Sequence, residues 1–165
     1  MTDPTITTAT AADAGELLTL QRAAYVTEAQ LYREPDLPPL TESLAELRAA
    51  LAGGGTLVAR LAGGPGRRIV GSVRSRLAAG TCHIGRLCVA PDLQGRGIGS
   101  ALLRAVEAAH AGRADRYALF TGYRSEGNLR LYARLGYVET GRDADPAGIT
   151  LVHLGKPAPR SADRR

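Results

Sequence analysis

Residues 86–103, RLCVAPDLQGRGIGSALL, hold the pattern that decides the fold. An extended apolar run reaches a Pro-Asp turn, passes a loop with three glycines at alternate positions, and continues as an amphipathic helix. Glycine inside a regular element is less stable than alanine, so three glycines at the start of a helix need a physical reason. Glycines let a ligand approach the backbone closely, and the first N–H groups of a helix lack intrahelical partners. The loop is therefore expected to bind an anion, most naturally phosphate or diphosphate.

Two other phosphate-binding loops fit this stretch less well. A Walker loop ends in Gly-Lys-Ser/Thr, and no lysine lies near these glycines. A dinucleotide fingerprint has Gly-x-Gly-x-x-Gly directly after a strand, whereas the spacing here is Gly95-x-Gly97-x-Gly99 after a Pro-Asp turn. A plain strand-to-helix turn needs only one such glycine.

The hydrophobic pattern around the loop predicts one α/β domain of the α+β type. Its sheet is expected to be mixed and mostly antiparallel, with about six or seven strands and about four flanking helices. Strands are predicted at 5–10, 56–61, 69–76, 82–89, 117–121, 137–140 and 150–154. Helices are predicted at 13–25, 41–52, 97–111 and 125–135.

Local signals refine these elements. Ser43 and Glu46 have the spacing of a capping box. Residues 28–40 are expected to combine a short helical piece with a proline-rich loop, in which Pro38-Pro39 breaks any helix. GGPG at 63–66 and AAG at 78–80 read as hairpin connections. The third helix presents one apolar stripe, formed by Ile98, Leu102, Val106 and Ala109.

Composition excludes several classes of protein. With 44% hydrophobic and 22% charged residues, the 165-residue chain is globular rather than disordered. No apolar run reaches the ~20 residues that span a bilayer, and no secretory signal opens the chain, so a cytoplasmic protein is expected. Cys82 and Cys88, six residues apart on one strand, would lie roughly 20 Å apart, too far for a disulfide. Neither cysteine has metal-ligand spacing to a histidine, so no metal is expected.

The glycine loop and a later helix together resemble a known family. QGRGIG, between LCVAPDL and SALL, resembles the acyl-CoA-binding motif of the GNAT superfamily of N-acetyltransferases, Gln/Arg-x-x-Gly-x-Gly/Ala, filled here by Gln94, Gly97 and Gly99. SEGNLRLYARLGYVETG, 125–141, resembles the second motif of the family, a helix that ends in Leu-Gly-Phe/Tyr. The order of elements from residue 5 to 154 is also similar to the family fold. We expect a GNAT-like domain at 1–155 and a disordered tail at 156–165.

The resemblance implies acetyl-CoA as cosubstrate and a primary amine as acceptor, with direct attack in a ternary complex and no metal. The diphosphate would lie on the loop amides, and the pantetheine arm would pair with the backbone of the preceding strand. The implied cofactor-binding residues are Leu87, Val89, Gln94, Gly95, Arg96, Gly97, Ile98, Gly99, Ser100 and Asn128. Asn128 lies one turn before Tyr132 on the same helix face and would bond the cofactor. Relatives often carry an asparagine seven residues before the family tyrosine, where this chain has Ser125. Whether Asn128, Ser125 or neither side chain contacts the cofactor is therefore left open.

Two residues are candidates for proton transfer. Tyr132 stands at the position of the family tyrosine and would protonate the departing thiolate; the alternative is a tyrosine that packs its helix on the sheet. His83 stands where some relatives carry a catalytic glutamate, and would take a proton from the amine. The alternatives are a strand histidine bonded to a neighbour, with a water chain to solvent acting as the base.

The sequence does not name the acceptor. Recognition is expected from a loop with Tyr25, Tyr32, Glu34, Asp36 and residues 38–40, and from 121–127 with Tyr123 and Arg124. A small amine, an antibiotic, a protein amine or an aminoacyl-tRNA all remain candidates, the last because the net charge is +5. An aromatic content of 4% without clustering argues against general nucleic-acid binding. A non-catalytic acyl-CoA sensor is the rival function, and a homodimer is left open.

Overall fold

The computed structural model describes residues 3–61 and 67–160. The strands are β1 (Thr5–Thr8), β2 (Thr56–Arg60), β3 (Ile69–Ala78), β4 (Thr81–Val89), β5 (Arg116–Gly122), β6 (Val138–Ala144) and β7 (Thr150–Pro157). The α-helices of this part of the chain are α1 (Ala14–Tyr32), α2 (Pro38–Thr41), α3 (Leu44–Ala52), α4 (Ile98–Ala109) and α5 (Glu126–Arg134). The strand order is β1-β2-β3-β4-β5-β7-β6. β4 and β5 pair in parallel, whereas the pairs β1–β2, β2–β3, β5–β7 and β6–β7 are antiparallel. The predicted fold class, a mixed and mostly antiparallel sheet with flanking helices, is confirmed.

The chain forms two compact units. The first contains the described residues up to Arg74 together with Arg86–Ala105, and the second contains Ser75–Gly85 and the described residues from Val106 onward. β3, β4 and α4 therefore contribute residues to both units.

In the first unit, close packing fixes where α4 begins. Gly71 of β3 faces this helix, and a Cβ placed there would lie 2.9 Å from side-chain atoms of both Ile98 and Leu102. Real Cβ atoms do not approach so closely, so only glycine lets the first turn of α4 sit this near to β3. The side chains of Ile98 and Leu102 are buried. The glycine loop before α4 is thereby held against the sheet at its helical end.

The helices of the first unit differ from prediction in two places. α1 runs without a break to Tyr32, because no helix breaker follows Tyr25, and so includes the short helical piece that was predicted separately within 28–40. It ends at Arg33 in the left-handed region (φ 51°). Pro38 and Pro39 begin α2 instead of breaking a helix, since a helix tolerates proline in its first turn. The Ser43/Glu46 capping box is confirmed, with both reciprocal hydrogen bonds, and it starts α3 at Leu44.

In the second unit, the sheet is tied to α4 and α5 through partly buried polar contacts. The Tyr117 hydroxyl donates to the Glu107 carbonyl at 3.0 Å, and Lys156 Nζ donates to the carbonyl of Leu135 just after α5 at 2.7 Å. Lys156 also pairs with the Glu107 carboxylate. β7 runs past its predicted end at Leu154 because Lys156 and Pro157 still pair with β5, so the start of the expected tail belongs to the sheet. Residues 161–165 of that tail lie outside the described residues.

The two predicted hairpin connections and the apolar stripe of α4 compare with the structure as follows. The turn at Ala79-Gly80 joins β3 and β4 with both residues at positive φ (48° and 77°), as a two-residue hairpin of this kind requires. The GGPG connection at 63–66 lies outside the described residues. The apolar stripe of α4 was assigned wrongly at its end: Ala109 is exposed, and Leu103 and His110 are buried instead.

Candidate functional site

The glycine loop is a turn of main-chain groups at the N-terminus of α4. After the short 3-10 turn Pro91–Leu93, Gly95 and Gly97 adopt φ values of 74° and 84°, which favour glycine. A Cβ at either position would meet nothing within 4 Å, so these glycines are required by conformation rather than by packing. The helix then begins at Ile98, and the Ala101 N–H donates to the Gly97 carbonyl at 3.0 Å.

The main-chain N–H groups of this loop have no protein acceptor. Within residues 3–61 and 67–160, no hydrogen bond is donated by the amides of residues 94–100. Residues 94–97 are exposed, and Arg96 adds a cation among them. A bidentate ion pair of Arg68 with Asp92, at 2.8 Å for both contacts, holds the preceding turn. A run of unpaired amides at a helix N-terminus, with a neighbouring guanidinium, is suited to bind an anion.

The strand before the loop is bonded to side chains at two carbonyls. The Tyr25 hydroxyl of α1 donates to the Leu87 carbonyl at 3.0 Å, and Gln94 Nε2 donates to the Val89 carbonyl at 3.4 Å. The Leu87 and Val89 side chains are partly buried. Each carbonyl has two lone pairs, so both can still accept a hydrogen bond from a ligand.

Arg86 interrupts β4 immediately before Leu87. Its φ is 52°, in the left-handed region, although it lies inside a strand. Its Nε is buried and has no hydrogen-bond partner among the described residues. Burial lowers the pKa of its guanidinium.

His83 lies on the regular first part of β4, opposite Ala118 of β5 in the parallel register. Its side chain is exposed. No described residue bonds to the imidazole, so it does not serve as a strand histidine tied to a neighbour. The ring is open to solvent and to any ligand at that surface.

Tyr132 and Tyr137 lie at the end of α5 and in the turn after it. Both are buried, and their rings meet edge to face with centroids 6.1 Å apart. The Tyr137 hydroxyl donates to Glu107 Oε1 at 3.1 Å, and Lys156 Nζ lies 5.0 Å from the centroid of its ring. Burial, together with the negative charge of Glu107, raises the pKa of Tyr137 strongly. The Glu107–Lys156 pair was not recognised from the sequence, because its two members are far apart along the chain.

Asn128 and Ser125 have different environments in the second unit. Asn128 Nδ2 donates to Thr121 Oγ1 of β5 at 3.2 Å, which ties α5 to the sheet. Ser125 is 5% exposed and precedes the first residue of α5. The Asn128 amide oxygen accepts no hydrogen bond from any described residue.

The side chain of Glu34, in the loop predicted to recognise the acceptor, is engaged locally. Glu34 Oε1 accepts a hydrogen bond from the Asp36 N–H at 2.9 Å, which shapes the turn after α1. Tyr123 is 47% exposed at the end of β5, and Arg124 is exposed beside it. Sequence reasoning did not single out Arg86, although an arginine directly before the apolar stretch Leu87–Val89 of β4 was the available signal.

The two cysteines are buried free thiols. Burial raises the pKa of Cys82 to about 11 and that of Cys88 to about 12. In the described parts of the chain, no group of three or more His, Cys, Asp or Glu side chains could hold a metal ion. No described helix has the length and apolar character needed to cross a membrane.

Comparison with known proteins gives a consistent result. A family model described as an acetyltransferase (GNAT) domain matches residues 52–139. A search of curated proteins gave no match. The ribosomal-protein-S18-alanine N-acetyltransferase from Escherichia coli superposes with a TM-score of 0.72 at 15% identity, covering 98% of each chain.

Several of the similar solved structures contain the coenzyme. PaiA N-acetyltransferase from Thermoplasma acidophilum, in complex with coenzyme A, has a TM-score of 0.67 at 14% identity and covers 91% of this chain and 97% of that chain. YncA from Salmonella typhimurium, with its cofactor acetyl-CoA, has a TM-score of 0.72 at 17% identity and covers 99% and 98%. At these identities the structural similarity establishes the fold.

Proposed function

The chain belongs to the GNAT acetyltransferase family, and from this we propose that it transfers an acetyl group from acetyl-CoA to a primary amine. The solved relatives with coenzyme A and acetyl-CoA support this choice of cosubstrate. The enzyme from Escherichia coli acts on a ribosomal-protein alanine, which is a precedent for an amine acceptor in this fold.

The run of unpaired amides at residues 94–100 is the observation that carries the proposal. Backbone N–H groups that no protein group satisfies are unfavourable unless water or a ligand takes their place. Here they lie at a helix N-terminus with Gly95 and Gly97 in the conformations that expose them. A diphosphate would satisfy several of them at once and would benefit from the partial positive charge of α4.

The reaction needs one proton acceptor and one proton donor. The amine nitrogen forms a bond to the acetyl carbon, and the bond from that carbon to sulfur breaks. An alkylamine with a pKa near ~10.4 is mostly protonated at neutral pH, so it loses a proton before attack and a second one as the amide forms. The departing thiolate gains a proton.

We assign the donor role to Tyr132 and the cofactor contacts to the loop and to the backbone of Leu87 and Val89. Gln94, Arg96, Ile98, Gly99 and Ser100 complete the proposed diphosphate site. Asn128 would contact the cofactor through its amide oxygen, which accepts no hydrogen bond from the described residues. Either His83 or a water chain takes the proton from the amine. A His83→Gln variant with an unchanged pH–rate profile would assign that step to water.

The first test combines binding with turnover. Because the chain has no tryptophan, coenzyme A is titrated by calorimetry, and thiol release from acetyl-CoA is followed with a panel of primary amines. We expect coenzyme A to bind and at least one amine to accelerate thiol release. Gly97→Val places a β-branched residue at positive φ, and should weaken coenzyme A binding by roughly tenfold or more.

Gly15→Ala is the matched control, because a Cβ at Gly15, in the first turn of α1, meets nothing within 4 Å. It should leave binding unchanged. Absence of coenzyme A binding would end the proposal. Binding without turnover on any amine would favour the rival function, a non-catalytic acyl-CoA sensor.

A further inference from the structure

Arg86 combines two unfavourable features in one residue. Among the described residues, three non-glycine residues have positive φ, and Arg33 and Ala79 lie where the chain leaves a helix or reverses direction. Arg86 alone lies inside a strand. Backbone conformations of this kind persist where the surroundings impose them, and they cluster at ligand sites.

The guanidinium of Arg86 also lacks a counter-charge. It makes no hydrogen bond or ion pair with any described residue, and its Nε is buried. Glu42 is the carboxylate in its electrostatic environment, which it shares with Tyr25 and Arg74. Arg74 Nη1 and Nη2 already bond both oxygens of Glu42, at 2.8 and 2.6 Å, and Gln21 Nε2 bonds one of them at 2.8 Å. Glu42 is therefore neutralised by Arg74, and one positive charge remains on Arg86.

The position of Arg86 relates this charge to the acceptor. The next residue, Leu87, accepts the Tyr25 hydroxyl through its carbonyl and belongs to the stretch proposed to align the thioester arm. Tyr25 lies on α1, in the segment expected to recognise the acceptor. The unpaired guanidinium thus neighbours both a proposed cofactor-aligning strand and a proposed acceptor-recognition helix, within the first compact unit.

We propose that the acceptor amine carries a carboxylate, as an amino acid does, and that Arg86 binds this carboxylate. The inference rests on the acetyltransferase function proposed above. The planar fork of arginine matches a carboxylate with two parallel hydrogen bonds, and such charge-assisted bonds are stronger than neutral ones. The ligand would supply the negative charge that the protein does not provide.

The test compares matched acceptors. Wild type and Arg86→Gln are assayed at saturating acetyl-CoA with the common L-amino acids, each paired with its α-amide. We expect wild type to use at least one amino acid with a kcat/KM roughly 10- to 100-fold above that of its amide. In Arg86→Gln this preference should fall to about twofold or less, because only the carboxylate loses its partner. Arg86→Lys, which keeps the charge without the fork, should show an intermediate preference.

Two controls separate recognition from folding. Arg48→Gln removes the same charge from an exposed site on α3 and should leave the preference unchanged. The Tm of Arg86→Gln should equal or exceed that of wild type, since the substitution removes a partly buried and unpaired charge. A lower Tm with an equal loss on every acceptor would make Arg86 a structural residue and overturn the proposal.

Other outcomes are equally decisive. Equal use of amino acids and amides by wild type overturns this inference and leaves the acetyltransferase function standing. If the wild type acetylates no amine, both the carboxylate inference and the acetyltransferase function are overturned. Weaker binding of coenzyme A to Arg86→Gln, with unchanged binding of dephospho-coenzyme A, would assign the guanidinium to the 3′-phosphate of the cofactor and overturn the carboxylate proposal.

Discussion

At the scale of single residues, we propose a chemical role for Tyr132 and a structural role for its neighbour Tyr137. Their rings are in contact, but the Tyr137 hydroxyl is bonded to the carboxylate of Glu107, and its pKa is strongly raised, mainly by burial. A phenol with such a pKa holds its proton and contributes a hydrogen bond to the fold. We propose Tyr132, which stands at the position of the family tyrosine, as the donor of the proton to the thiolate.

The same tyrosine-to-phenylalanine substitution should therefore have different effects at the two positions. Tyr132→Phe should lower kcat by about 100-fold and leave coenzyme A affinity within about twofold, because positioned proton transfer contributes at this level. Tyr137→Phe should lower the free energy of unfolding by about 1 kcal/mol through the lost hydrogen bond to Glu107, with kcat little changed. Steady-state kinetics and urea denaturation of both variants check this. Unaltered kcat in Tyr132→Phe would remove the residue from the mechanism.

At the scale of elements, His110 connects the end of α4 to β3 within the second unit. The Arg113 guanidinium lies 3.2 Å from Nδ1, and Ser75 Oγ lies 2.9 Å from Nε2. Arginine can only donate, so Nδ1 accepts, and Nε2 carries the proton and donates to Ser75. Burial and the charge of Arg113 lower the pKa of His110. The neutral imidazole is therefore the form that the folded protein stabilises.

This arrangement predicts a loss of stability in mild acid. With its pKa lowered on folding, His110 binds fewer protons in the folded than in the unfolded chain, where the pKa is ~6.5. Its contribution is complete above this value and is lost as pH falls below it. The urea midpoint should drop between pH 7.5 and 5.5 by more in wild type than in His110→Gln, whose amide can make both hydrogen bonds without titrating. Equal drops would show that His110 does not contribute.

The sequence predicted most elements because their signals are local. The Ser43/Glu46 box set the start of α3, and glycine spacing located the loop before α4. Pro38 and Pro39 were misread because the same residue breaks a helix interior and begins a helix, depending on where the first turn falls. The end of β7 was missed because Lys156 is held by Glu107 and Leu135, contacts that no short window of sequence contains.

The candidate site residues stay predictions. The motif residues 94–100 and Tyr132 could be proposed from the resemblance of two short stretches to the family motifs, since each belongs to one local element. Arg86 could not, because its importance depends on a φ of 52° and on Arg74 having already neutralised Glu42. A residue whose role depends on what its neighbours leave unpaired becomes visible only when the strands and helices are assembled.

At the scale of the whole molecule, the net positive charge and the loop amides favour an anionic ligand. The net charge is +5, and the unpaired amides at 94–100 add partial positive charge where α4 begins. Coenzyme A is a polyanion with a diphosphate in its middle. Attraction over the whole surface would bring it to the protein, and the loop would fix its position, so binding should weaken as ionic strength rises.

Thermal stability measures this binding without requiring an acceptor. Coenzyme A at about 100 times its Kd should stabilise the folded chain by about 2.7 kcal/mol, because it binds the folded state alone. For a chain of this size, that corresponds to a rise in Tm of roughly 5–10 °C in a calorimetric scan. Pantetheine, which lacks the diphosphate, should give a much smaller rise at the same concentration, and Gly97→Val should reduce the effect of coenzyme A. Equal shifts from pantetheine and coenzyme A would show that the loop amides hold no diphosphate, because the arm alone would then account for the binding.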